Sequence, residues 1–230
     1  MTAMDSEGTK IRISQAYLEL ARSYIGAIAT IKKSFTSDSP QVELDNQATM
    51  TFAFSALSTI FSYLAIEAYV NYDLFGIWQH SRNAHDVIAE VKRTSPQLQI
   101  RPVYNDFYQK YGHVDDFIKL KETKLGELKE RIKAVCKANG IPQIYDSDPK
   151  LWNDFLALLE DTRHALVHPN PHDEAFSKIV PRVFSTEPYA SYPTIASKVI
   201  SHFFHSTNVK PPDYLSANQL FQITNIDILF

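Results

Sequence analysis

Apolar residues recur every three to four positions along the first long segment of this chain. On an α-helix this spacing lines the side chains up along one face. The chain also has only six glycines in 230 residues, so the tight turns that sheets need are scarce. The sequence therefore predicts an all-α protein whose first helix buries a seam of Ile13, Tyr17, Leu20, Tyr24, Ile28, Ile31 and Phe35.

Helix-starting and helix-ending residues divide the rest of the chain. Asp148 and Pro149 form a typical helix start, and Gly140 followed by Pro142 forms a typical helix end. The stretch from His80 to Pro102 is polar and favours a short helix followed by a loop. Helices are predicted from about Asn46 to Gln79, Tyr104 to Gly112, Asp115 to Asn139, from Asp148 onward, and from Ile195 to His205.

The overall charge and the cysteine content indicate a cytoplasmic protein. A net charge of -3 does not indicate a nucleic-acid or membrane partner, so any site for a polyanion is expected to be a local patch. The single cysteine, Cys136, follows an apolar stripe and is predicted to lie in the core. The charge-free run from Asn46 to Ile66 is long enough to span a membrane, but six serines and threonines interrupt it. We therefore expect no membrane span and no secretory leader.

The segment DTRHALVHPNP, from Asp161 to Pro171, carries the most distinctive chemistry of the sequence. At about 100° per residue from Trp152, Arg163 falls at about 20°, in the middle of an apolar face. Burying a guanidinium without partners costs several kcal/mol. The face at Arg163 must therefore meet acceptors, another subunit or a cleft that an anion enters. The apolar residues predicted to share it are Phe155, Leu156, Leu159, Leu166 and Val167.

Two histidines follow the arginine. His164 and His168 lie four residues apart, so a straight helix stacks them on one side, away from Arg163. Pro169 disfavours the α conformation at His168, which predicts that the last turn loosens and swings this imidazole toward the cleft. The helix dipole stabilises the charged imidazole there. His168 is therefore a candidate proton donor.

Two other interpretations of these residues remain open. A metal site is suggested by the spacing of His164, His168 and His172, although the intervening prolines interrupt the helix and no second ligand motif supports it. In a purely structural interpretation, Arg163 pairs with a buried acid such as Glu67 and the histidines cap helix carbonyls.

The six residues from Arg163 to His168 resemble the R-x4-6-H motif of the HEPN superfamily (higher eukaryotes and prokaryotes nucleotide-binding). The stretch IEAYVN, which ends at Asn71, is similar to an acidic-then-asparagine pattern on an early helix of such domains, and KLGELKERIKAVCKANGIP resembles the helix before their motif. The resemblance implies an up-and-down helical bundle over residues 1–172. It leaves residues 173–230 as a proline-rich helical extension that packs on the bundle or on a dimer partner.

Many members of this superfamily are metal-independent endoribonucleases that act as homodimers. The resemblance therefore implies a toxin or antiviral defence nuclease without cofactor or metal, in which two motifs form one cleft. His168 would act as general acid or base, Arg163 would hold the phosphate and His164 would support them. Glu67 and Asn71 would orient Arg163 or His168, or would serve only the bundle as a hydrogen-bonded pair.

The partners implied by the sequence are RNA, a second copy of the chain, and an antitoxin or regulatory protein. Lys121, Lys124 and Arg131 could follow an RNA backbone, although a solvated helix face is the favoured interpretation. Members that pair with a nucleotidyltransferase antitoxin often carry tyrosine where this chain has Asn170, so that particular pairing is not expected. The alternative function is a catalytically inactive HEPN-like module that binds a protein partner or a nucleotide.

Overall fold

Every regular element that the computed structural model describes is a helix, and the all-α prediction is confirmed to that extent. The described residues are 3–34, 39–91, 102–168, 191–204 and 210–216. Two 3₁₀ helices, Phe117–Glu122 and Lys124–Gly126, precede α4, and a π-helix, Phe155–Glu160, joins α6 to α7. The α-helices are α1 Ala3–Ser34, α2 Gln41–Val91, α3 Pro102–Tyr111, α4 Leu128–Asn139, α5 Ile144–Ser147, α6 Pro149–Asp154, α7 Asp161–Val167, α8 Tyr192–His202 and α9 Asp213–Ser216.

Helices α1 and α2 pack along an interface of small residues. Ser58 of α2 donates a hydrogen bond to the carbonyl oxygen of Ala21 in α1 at 2.9 Å. In the other direction, Ser14 of α1 donates to the carbonyl oxygen of Ala65 in α2 at 3.0 Å. Small side chains let two helix backbones approach closely, and each hydroxyl satisfies its polar group against the neighbouring helix. Ser58, one of the serines that interrupt the apolar run of α2, is therefore part of this contact.

The buried face of α1 agrees with the predicted seam at some positions, such as Ile28, and differs from it at others. Leu18 and Ala21 are fully buried, whereas Ile13 is 36% exposed and Leu20 is 42% exposed. The prediction that Ile13 and Leu20 are buried is therefore wrong. The physical reason is that α1 turns its small residues, including Ser14, toward α2, and this leaves part of its most apolar seam at the surface.

Helix α2 is long and apolar enough to cross a membrane when only length and composition are considered. The core helices of soluble proteins share this property, and 44% of its most apolar window is buried inside the protein. Its serines and threonines at positions 51, 55, 58, 59 and 62 are all buried. Burial of these polar groups within the fold is typical of a core helix.

The predicted long helix from Asp115 to Asn139 is interrupted. Asp116 accepts a hydrogen bond from the backbone N–H of Ile118 at 2.9 Å, and Thr123 accepts one from the N–H of Leu125 at 3.1 Å. These caps start the two 3₁₀ helices in place of a continuous α-helix. Ile118 is consequently 71% exposed, against the prediction that it joins the buried stripe. The predicted end is confirmed, because Gly140 adopts φ 67° after α4.

The described part of the C-terminal region shares its core with the preceding helices. The ring of Phe203, just after α8, stacks on Tyr69 of α2 at 5.5 Å between centroids. Arg22 of α1 donates to the carbonyl oxygen of Tyr214 at 2.6 Å and to the hydroxyl of Ser197 at 2.9 Å. The contacts thus join α8 and α9 to the first helix pair, while residues 173–190, 205–209 and 217–230 of the predicted extension lie outside the described residues.

The only cysteine gives a direct test of this core. Cys136 is fully buried in α4, and burial raises the pKa of its thiol to about 12. The thiolate is the form that reacts. At pH 8 we expect alkylation of the native protein by iodoacetamide to be about a thousandfold slower than alkylation of the denatured protein.

The same pKa shift also determines how the free energy of unfolding changes with pH. The folded thiol stays protonated above the ordinary value of 9.0, whereas the unfolded thiol ionises there. The unfolded state therefore holds fewer protons, and the free energy of unfolding should fall as pH rises from about 9 toward about 12. For the alkylation experiment, rapid labelling of Cys136 by iodoacetamide in the native protein at pH 8 would contradict the buried placement of this residue.

Candidate functional site

The motif segment sits at the end of a continuous helical run over residues 149–167, which we call the motif helix. Its start is as predicted, because the Asp148 side chain accepts a hydrogen bond from the N–H of Leu151 at 2.9 Å and Pro149 occupies the first turn. The backbone N–H of His168 still donates to the carbonyl oxygen of His164 at 2.9 Å. Helix α7 ends at Val167, so His168 follows the last helical residue, and this hydrogen bond keeps the backbone of His168 in line with the last turn.

A π-helix in the middle of the motif helix changes which residues face the core. Its wider turn, with i→i+5 hydrogen bonds, sets every later residue back around the axis relative to a straight count of 100° per residue. Phe155, the first residue of this turn, is fully buried. After it Thr162 and Ala165 are buried, whereas Val167, predicted on the apolar face, is 40% exposed. π-turns of this kind occur frequently at functional sites.

Arg163 lies against α2. The carbon at the centre of its guanidinium is 4.8 Å from the ring centroid of Tyr63, which is a cation–π distance. The Arg163 side chain is half-buried, and no carboxylate within the described residues forms an ion pair with it. The guanidinium is thus held by an aromatic face and keeps its hydrogen-bond donors for another group.

The two histidines of the motif are exposed and lie next to each other. Their ring centroids are 5.2 Å apart, with 52° between the ring planes. Among the described residues, no hydrogen bond or ring contact joins His164 or His168 to Arg163. One copy of the chain therefore presents the arginine toward α2 and the imidazole pair toward solvent.

Glu67 and Asn71 bind a different arginine from the predicted one. Arg131 of α4 is only 4% exposed, and its guanidinium donates to Oε1 of Glu67 at 2.9 Å and to Oδ1 of Asn71. A third, longer hydrogen bond of 3.4 Å reaches the carbonyl oxygen of Gly126. In this structure Glu67 and Asn71 thus hold α4 against α2, and Glu67 is not the ion-pair partner of Arg163.

This buried Arg131 network carries a sequence signal that the periodicity argument overlooked. Arg131 follows Leu128 by three positions and precedes Val135 by four, so it shares their face of α4. Leu128 and Val135 are both buried. An arginine on an apolar face needs acceptors, and the pair of Glu67 and Asn71 on the apolar helix α2 supplies them.

The other two residues considered for RNA contact, Lys121 and Lys124, are exposed on the two 3₁₀ helices. Lys124 also lines a cleft of about 380 Å³ between α3, α4 and α5, whereas Lys121 does not. Arg131 points inward, as described above, so the three basic residues do not form one surface stripe.

Within the described ranges, no group of three histidine, cysteine, aspartate or glutamate side chains is arranged to hold a metal ion. His172, the third residue of the histidine spacing, lies outside the described residues, as does Asn170. Of the three histidines in that spacing, only His164 and His168 lie within the described residues.

The arrangement can bind an anion at Arg163 and offers an exposed imidazole pair at His164 and His168, a few residues along the same helix. Comparison of the chain with known protein families, curated proteins and solved structures finds no match.

Proposed function

We propose that this chain is a metal-independent endoribonuclease of the toxin or defence type, HEPN-like in its motif, acting as a homodimer in the cytoplasm. The observation that carries the proposal is Arg163, a half-buried guanidinium that stacks on Tyr63 and has no carboxylate partner among the described residues. A permanently charged planar donor held in this way suits a phosphate group.

Arg163 would act on the scissile phosphate. During attack by the ribose 2′-hydroxyl, negative charge builds up on the non-bridging phosphate oxygens. A guanidinium that is already oriented stabilises this charge without reorganising at the moment of reaction. The ring of Tyr63 would fix the plane of the guanidinium, because a cation–π contact restricts where it can lie.

The imidazoles would move the protons. His168 would accept the proton of the 2′-hydroxyl or donate one to the departing 5′-oxygen, and His164, at 5.2 Å from it, would support its position. The new bond joins the 2′-oxygen to phosphorus as the bond to the 5′-oxygen breaks. The products are a 2′,3′-cyclic phosphate and a free 5′-hydroxyl, and no water or metal enters this step.

A second copy of the chain would complete the site. Arg163 and His168 are five residues apart, so on a regular helix they project about 140° from each other. A two-fold axis at the end of the motif helix could bring the imidazole pair of one copy to the guanidinium of the other. The histidines are exposed, so they are free to meet such a partner.

The experiment is incubation of the purified chain with single-stranded RNA in EDTA. We expect cleavage that is unaffected by the chelator, with fragments ending in a 2′,3′-cyclic phosphate and beginning with a 5′-hydroxyl. Fragments with a 5′-phosphate would contradict the 2′-hydroxyl mechanism. Intact RNA at micromolar protein, over several sequences, would contradict the nuclease proposal.

A second candidate is a catalytically inactive helical module that binds a protein partner or a nucleotide. It is favoured by the exposed apolar residues Ile13 and Leu20 on α1, since such a face is suited to a protein contact. The two candidates differ in the RNA experiment, because the inactive module leaves RNA intact while keeping its partner.

A further inference from the structure

A cleft beside α4 has the features of a small-ligand site. Its volume is about 380 Å³, in the lower part of the range for small-molecule sites. Residues of α3 and α4 line it, together with Tyr145 of α5. It contacts none of the motif residues Arg163, His164 and His168.

The charge of this cleft is positive. Four lysines line it, but only two carboxylates do. Glu130 pairs with Lys133 at 2.7 Å, and Asp106 pairs with Lys137 at 3.5 Å. The two remaining lysines are Lys110 and Lys124. Both have exposed side chains and no ion pair within the described residues.

Two tyrosines also line the cleft. Tyr111 of α3 is half-buried, and Tyr145 of α5 is 40% exposed. Burial, together with the nearby Glu130, raises the pKa of the Tyr111 phenol, so its hydroxyl stays a neutral donor. A flat ring can rest on such side chains while ammonium groups hold an anion attached to it.

We propose that this cleft binds a free nucleoside monophosphate, with its phosphate on Lys110 and Lys124 and its base against Tyr111 and Tyr145. The two unpaired ammonium groups match a phosphate, which carries between one and two negative charges at neutral pH. The aromatic side chains match the base, and the volume suits one nucleotide. The site does not depend on the proposed ribonuclease activity, because none of the motif residues forms part of it.

The test is calorimetric titration of the full chain with 5′-AMP, adenosine and inorganic phosphate at low salt. We expect 5′-AMP to bind at least tenfold more tightly than either fragment, because only AMP uses both the lysines and the rings. The double substitution Lys110→Gln and Lys124→Gln should weaken AMP binding by at least tenfold. Tyr145→Ala should weaken AMP binding about tenfold and leave phosphate binding unchanged.

Lys121→Gln is the matched control, because Lys121 is also exposed, on the preceding 3₁₀ helix, but does not line the cleft. It should bind AMP like the unchanged protein. All variants should keep their melting temperature, since the substituted groups are exposed. Lack of AMP binding below 1 mM, or equal affinity for phosphate and AMP, would overturn the proposal.

RNA is the other source of the same chemistry, and a second titration separates the two. The protein used is the Arg163→Ala variant, chosen so that RNA is not cut, and it is titrated with a single-stranded RNA oligomer while AMP is present. If AMP binds this variant saturably, with the affinity that it shows for the unchanged protein, the cleft is a site for a free nucleotide. If only the RNA oligomer binds and AMP does not, the cleft holds a nucleotide of a strand and the proposal is wrong.

Discussion

Replacing Arg163 with alanine is expected to lower the rate of RNA cleavage by about 10²–10³-fold, and replacing His168 by about 10²–10⁴-fold. The first change removes the donor that stabilises the charged transition state, and the second removes the group that moves the proton. Neither should unfold the protein, because Arg163 is half-buried, His168 is exposed and neither has an ion-pair partner in the described chain. The measurements are single-turnover cleavage in EDTA and thermal melting of each variant.

The chain offers a matched control for each substitution. Arg82 also holds its guanidinium over an aromatic ring, at 5.0 Å from the centroid of Trp78, but it lies outside the motif. His113 is exposed like His168 and also lies outside it. Arg82→Ala and His113→Ala should therefore cleave RNA at the rate of the unchanged protein. If they lose as much activity as the motif variants, the motif has no special role in cleavage.

Mixing the two inactive proteins tests whether the site is shared between subunits. A mixed dimer of Arg163→Ala and His168→Ala chains keeps one site with both groups if the arginine and the histidine come from different copies. We expect a 1:1 mixture to regain about a quarter of the normal activity after random subunit exchange, because about half of the dimers are then mixed and each keeps one of its two sites. Full inactivity of demonstrably mixed dimers would show that one copy supplies both groups.

Replacing Glu67 with alanine is expected to have the largest effect on stability, at about 3 kcal/mol. It leaves the Arg131 guanidinium, 4% exposed, without its countercharge, and breaking a buried pair costs about 3–5 kcal/mol. The lower end applies because the Glu67 side chain is 22% exposed. For a chain of this length the melting temperature should fall by about 6–12 °C. Chemical denaturation and calorimetry measure both quantities.

Two further variants separate the ion pair from general effects of mutation. Asp115→Ala removes the exposed ion pair with Lys119 and should change the melting temperature little. Glu67→Leu combined with Arg131→Met replaces the buried pair with apolar groups and should recover most of the stability. A Glu67→Ala protein as stable as the original, but inactive toward RNA, would instead assign Glu67 to the catalytic site.

The helical class of the fold follows from the sequence, but the choice of buried face does not. Periodicity identifies α1 correctly, yet it selects Ile13 and Leu20 as core residues, and both are exposed. The contact between α1 and α2 includes aromatic residues of that seam, and it also uses Ser14 and Ser58, whose small side chains permit close approach and whose hydroxyls bond to the opposite backbone. Such pairwise complementarity between two helices is not visible in the pattern of either one alone.

Some helix boundaries that depend on local hydrogen bonds follow from the sequence, and others do not. Asp148 and Gly140 act as predicted, because a cap residue beside a proline or at a helix end has few alternatives. Thr123 breaks the helix predicted from Asp115 to Asn139, since its hydroxyl bonds to the N–H of Leu125. Threonine is common inside helices as well as at caps, so its residue type does not reveal which role it takes.

The candidate site was partly accessible from the sequence. The pattern identified Arg163 as an arginine needing an unusual environment, and the cation–π contact with Tyr63 supplies one. The assignment of Glu67 and Asn71 to that arginine was not reliable, because two arginines lie on apolar faces and only the fold pairs these acceptors with Arg131. A sequence pattern indicates that a charged group needs a partner, but it does not identify that partner.

The widened turn at Phe155–Glu160 makes the winding of this segment as important as its composition. If the same residues were wound as a regular α-helix, everything downstream would rotate by about 100°. Arg163 would then leave the ring of Tyr63, and both imidazoles would point in new directions, although no side chain of the motif had been altered. The orientation of the motif therefore depends on the widened turn in the helix that carries it.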